Sequence, residues 1–224
     1  MTRSISNALK SVLVLMAIAV VCVGILAVCN MFFPKYMPTL DVETAKLIDK
    51  ICPTGVGYQR AFDEKYIVML NDGDYDGDIE GFNKSHKSSK AEVLAVYGEP
   101  KGESGNAGAF VIECKATGRD GDVVVLVAFK GNEIIGATCK KQNESYWEKL
   151  PDTLFDSIVG ETGSVDLKGE FGSTGATASL KAVESSVNIA LTFADKYKNG
   201  IVSALEKIAL DASKDQNEKA GAGV

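Results

Sequence analysis

The chain has 224 residues, a formal net charge of −6, one histidine and five cysteines. The acidic balance argues against nucleic acid as a partner, because a phosphate backbone needs a basic surface. No Cys-x-x-Cys pair offers iron–sulfur or zinc spacing, and the lone His86, set among Lys84, Ser85, Lys87 and Ser88, leaves no histidine-based catalytic dyad.

Residues 1–10 carry Arg3 and Lys10, and residues 11–34 carry no charge. An apolar helix over 11–33, about 34 Å long at about 1.5 Å per residue, reaches across a bilayer's hydrocarbon core. The basic flank predicts a cytoplasmic N-terminus for residues 1–10 and places the remainder outside the cytoplasmic membrane. A cleaved signal peptide fits less well, since its apolar core is shorter. Leu26-Ala27-Val28-Cys29 hints at a lipoprotein signal, but Val28 is large for the position before a lipidated cysteine. Cys22 and Cys29 share one face of this helix and suit packing against neighbouring helices.

Pro34 and Pro38 close the anchor, and 41–51 reads as a short helix with Val42, Ala45, Leu47 and Ile48 on it. Residues 61–70 read as a strand. An acidic, glycine-rich stretch follows. Counted from Asp72, it places Asp72, Asp74 and Asp76 at the first, third and fifth positions of an EF-hand loop, with Asp78 next in the alternation. Asn83 stands where the bidentate glutamate belongs, so a weak calcium loop is the most this stretch offers, against a solvated acidic turn. Ser89 reads as the N-cap of a helix through Tyr97, stopped by Gly98-Glu99-Pro100.

Residues 109–114, 123–129 and 133–139 are β-rich runs separated by short turns containing Gly and Asn, which predicts an antiparallel meander. The middle run is apolar throughout and should be buried on both faces. Residues 142–170 are mixed. Gly172-Ser173-Thr174-Gly175-Ala176-Thr177-Ala178-Ser179 then opens an amphipathic helix whose stripe is Leu180, Val183, Val187, Leu191 and Ala194. Gly200 is a point of interruption, after which Ile201, Val202, Leu205, Ile208 and Ala209 continue the pattern. Residues 213–224 read as a flexible tail. Helices against an antiparallel sheet make residues 41–212 an α+β domain, preceded by one transmembrane helix. Small and hydroxylated residues at a helix N-terminus suit a phosphate, because free N–H groups and the helix dipole both favour negative charge. An ordinary N-cap would use the same residue types.

The run Ser173-Thr174-Gly175-Ala176-Thr177-Ala178-Ser179 resembles the S/T-G-A-T-x-S/T flavinylation motif of the FMN-binding domain family. That family includes the G subunit of the Rnf complex and the C subunit of the sodium-pumping NADH:quinone oxidoreductase. The resemblance covers about the last 120 residues and implies FMN held covalently by a phosphoester to Thr177. Ser173, Thr174, Gly175, Ala176 and Ser179 would shape the phosphate loop. The family's upstream E-T-P-G-L-G segment, which lies against the flavin ring, is matched by Glu144 and Ser145. Its Pro-Gly-Leu-Gly half is replaced by Tyr146, Trp147, Glu148 and Lys149. Tyr146 and Trp147 offer aromatic faces to a flavin ring, or one is core and the other surface. The resemblance further implies an electron-relay role in an Rnf-type membrane complex, with other membrane subunits as partners and a flavin transferase for maturation. The C-type subunit, another anchored FMN-domain protein, and a non-redox calcium-stabilised module are the alternatives.

Overall fold

A computed structural model describes residues 12, 16, 40–52, 67–99, 108–172 and 175–221, with side chains to residue 211. The chain divides into two compact units, Met1–Pro38 and Thr39–Val224. In the first, only Val12 and Met16 are described; both are helical and exposed, and the rest of the expected anchor lies outside the described residues. Among the described residues no helix is long and apolar enough to cross a membrane.

The second unit is α+β, with a five-stranded antiparallel sheet in which each strand pairs with its sequence neighbour. Helix α1 (Val42–Ile51) starts at Asp41, whose carboxylate accepts the Thr44 N–H at 2.7 Å. That bond satisfies an orphan amide, and it holds the Asp41 carboxyl below its ordinary pKa. Of the run expected over 61–70 only 67–70 are described, and Val68–Leu70 form strand β1. A short helix, α2 (Ile79–Ser85), rises from the acidic stretch with Asp78 as N-cap.

Strand β2 (Ala91–Gly98) corrects the helix expected from Ser89 to Tyr97. The Ser89 hydroxyl instead bonds the His86 and Ala91 carbonyls at the end of a 3-10 turn. Val93, Val96 and Tyr97 are β-branched or aromatic, and β2 has a partner on each side, so pairing overrides a weak helical spacing.

Strands β3 (Phe110–Thr117), β4 (Asp122–Lys130) and β5 (Glu133–Lys141) form the predicted meander. Val123 through Phe129 on β4 are all buried, as their unbroken apolar run predicts. Alternation then sorts the side chains. Phe110, Ile112, Cys114, Val125, Val127 and Phe129 face one core, while Val111, Leu126 and Ala128 face another with Ile48 and Ile51 of α1.

The first core is covered by a second short helix, α3 (Leu167–Phe171), and by α4 (Thr177–Gly221). Leu180, Val183, Val187, Leu191 and Ala194 are buried, as are Ile201 and Leu205. Each large apolar side chain so buried contributes about 1.5–3 kcal/mol. Gly200 does not interrupt α4. Its missing side chain admits the acidic turn, since a Cβ there would stand 3.3 Å from the Asp76 amide nitrogen. The α4 backbone runs on through 213–221, where the sequence suggests a tail.

Candidate functional site

Helix α4 begins at Thr177, which is half-buried, behind a buried Ala176 and an exposed Gly175. Gly175 has φ +77°, a left-handed conformation that glycine adopts without the Cβ penalty. Leu180 donates to the Ala176 carbonyl at 2.9 Å, so the amides of 177–179 precede the ladder of helical bonds. Ser173 and Thr174 lie outside the described residues.

The upstream segment comes to the same place. Glu144 is buried, and its carboxylate accepts the Ser179 hydroxyl at 2.6 Å. It also accepts the backbone N–H groups of Arg119, Asp120 and Gly121 at 2.9–3.1 Å, in the turn between β3 and β4. Burial by itself raises the Glu144 pKa, but the Ser179 and backbone donors outweigh it and hold the carboxyl below its ordinary value. One side chain therefore joins the β3–β4 turn, the segment after β5 and the first turn of α4.

Ser145 donates its N–H to the Asp120 carboxylate at 3.0 Å, which lowers the Asp120 pKa. Tyr146 is exposed, at 37%. Trp147 is partly buried against the main core, in a 3-10 turn over Trp147–Lys149. The two aromatics thus divide into one surface ring and one core ring. Lys149, which the sequence pattern did not single out, lies beside the motif. A Cβ on Gly175 would stand 3.5 Å from Lys149 Cδ.

The acidic stretch closes on itself. Asp72 accepts the Ile79 N–H at 3.3 Å, Asp74 the Asn71 N–H at 2.8 Å and Asp78 the Gly81 N–H at 2.8 Å, while Asp76 is exposed. Among the described residues no three His, Cys, Asp or Glu side chains group to hold a metal.

Cys52, Cys114 and Cys139 are free thiols. Cys114 and Cys139 flank Val125 from opposite sides, so β4 separates them. Two strand spacings, about 9–10 Å, exceed the roughly 7 Å a disulfide spans. Burial pushes the Cys139 thiol up to about 11 and Cys52, with help from the Glu99 and Asp49 charges, to about 12. No protein-family model, curated protein or solved structure matches this chain.

Proposed function

We propose that the chain is a membrane-anchored, extracytoplasmic electron-relay subunit of an Rnf-type, ion-translocating ferredoxin:NAD oxidoreductase, with FMN joined by a phosphoester to Thr177. What supports the reading is the convergence of two sequence elements that the family resemblance pairs. Glu144, from the segment matched to E-T-P-G-L-G, accepts the hydroxyl of Ser179, the last residue of the flavinylation-like motif.

The residues fit the group. Thr177 offers a hydroxyl on the first turn of α4, and Gly175 opens the backbone beside it. The free amides and positive dipole end of α4 favour a phosphate ester over a neutral group. Tyr146, two residues after Glu144, is exposed, with Lys149 and Arg119 over its ring. When bound, FMN supplies one- and two-electron transfer; the chain supplies attachment, orientation and charge. A tether of this kind keeps the cofactor from diffusing away outside the cell membrane.

Electrons would pass to and from other membrane subunits, since the chain has neither an iron–sulfur ligand spacing nor a nicotinamide fingerprint. The test is peptide mapping of the chain purified from membranes containing a flavin transferase. The tryptic peptide spanning 169–181 should carry the added mass of FMN, with fragment ions placing it on Thr177. An unmodified peptide from such cells contradicts the reading.

A further inference from the structure

The end of the sheet where β2 begins and β3 finishes carries an open cleft of about 370 Å³. Strand β1 pairs only with Val96–Gly98, so among the described residues no strand flanks the Ala91 end of β2 on that side. Asn83 of α2 stands there instead. Its side chain donates to the Val93 carbonyl at 2.8 Å and accepts the Val93 N–H at 2.9 Å. These bonds fasten α2 and the 3-10 turn after it (Lys87–Ser89) to the sheet. Among the described residues the cleft is lined by Lys87, Lys90 and Lys115, and Glu92 is the one carboxylate in its wall.

Three cations around one cleft run against the composition of a chain whose net charge is −6. Lys115 is balanced locally, with Glu92 at 3.4 Å and Asp122 at 3.7 Å. Lys87 and Lys90 are exposed, and among the described residues neither has a carboxylate within ion-pairing distance. Lys90 is also the only described non-glycine residue at positive φ, with φ +57° and ψ +15°. A residue with a Cβ is strained in that conformation, and such strain concentrates where a ligand is held. The left-handed residue joins the 3-10 turn directly to β2 and leaves Lys90 on the cleft.

Two ammonium groups without a counter-ion, beside a third that shares two, suit a compact anion of more than one charge. No arginine lines the cleft. The planar fork of arginine matches carboxylates, whereas lysine is a point charge that suits phosphate. The volume is that of a small-molecule site. We propose that the cleft binds a small phosphorylated molecule, held by Lys87 and Lys90 with Lys115 completing the positive wall. None of its lining residues belongs to 144–149 or 172–179, so it stands apart from the flavin reading of Thr177.

The test uses the full chain in detergent, made without flavin transferase, and titrated with pyrophosphate by calorimetry at low salt. Wild type should bind pyrophosphate saturably and more tightly than the dicarboxylate malonate. Lys87→Ala and Lys90→Gly should each weaken pyrophosphate roughly tenfold. Lys207→Ala, at an exposed lysine of α4 outside the cleft, should leave it unchanged. Without anion, Lys90→Gly should unfold at a higher temperature than wild type, because glycine adopts the left-handed conformation freely. Its loss of binding is then no folding defect.

Wild type that shows no saturable binding overturns the proposal. So does binding that Lys87→Ala and Lys90→Gly both leave intact, or that Lys207→Ala weakens as much as they do, which is the mark of diffuse surface charge. A pyrophosphate site that Thr177→Ala removes and the lysine variants keep lies at α4, and it overturns the cleft while favouring the flavin reading. Malonate bound as tightly as pyrophosphate overturns the phosphate assignment.

Discussion

The Glu144 carboxylate takes up four hydrogen bonds, three from consecutive backbone amides and one from Ser179. A neutral amide cannot replace it, because its NH2 would face donors. Glu144→Gln should cost about 1–3 kcal/mol in thermal or urea unfolding. The native pKa of Glu144 lies below its unfolded value, so its contribution is complete at neutral pH. It declines as pH drops below about 4.5 and is lost as pH falls through the native pKa. Unfolding curves of wild type and Glu144→Gln should therefore converge in acid; a constant gap down to acid pH contradicts the assignment. Glu113 is a second buried carboxylate, fully enclosed, which accepts the Tyr97 hydroxyl at 2.7 Å and Lys140 Nζ at 2.9 Å. Lys140→Met removes a cation that bonds this buried carboxylate at 2.9 Å and should destabilise by about 3 kcal/mol. Adding Glu113→Gln should recover part of the loss, measured as a double-mutant cycle.

At the scale of elements, Gly200 sets how closely the acidic turn approaches α4. Gly200→Leu would drive a side chain into Tyr75 and Asp76 and should cost about 1–3 kcal/mol by overpacking, read as a lower unfolding midpoint. Here the sequence misleads in an instructive way. Glycine is a poor helix former, so Gly200 reads as a break, yet the packing it permits outweighs its propensity. Likewise the stretch from Ser89 through Tyr97 reads as a capped helix, because no local signal reveals that β1 and β3 will flank it. The meander was legible because short turns and an unbroken apolar run in β4 are local features. Helix α2 was missed because Asp78, its N-cap, is embedded in a run of similar aspartates. At the site, the helix beginning at Thr177 was legible from its apolar stripe. The Glu144–Ser179 bond was not, since the two residues come from elements brought together only by tertiary folding. Lys149 gave no periodic or motif signal at all; its place beside Gly175 follows from the 3-10 turn after Tyr146.

For the whole molecule, the proposed function requires an anchor over 11–33 and a cofactor on the first turn of α4. On that reading the chain stays in the membrane pellet after carbonate extraction, and protease added to the outer face of spheroplasts cuts within the domain. Release by carbonate contradicts the anchor. The central claim is the covalent flavin. The full chain, coexpressed with a flavin transferase, should be denatured, run on a gel and viewed for flavin fluorescence beside Thr177→Ala and a control at Thr192→Ala, an exposed position of α4 outside the motif. A fluorescent band is expected for wild type and Thr192→Ala and a dark band for Thr177→Ala. A dark wild-type band, or a Thr177→Ala band as bright as wild type, would contradict that claim.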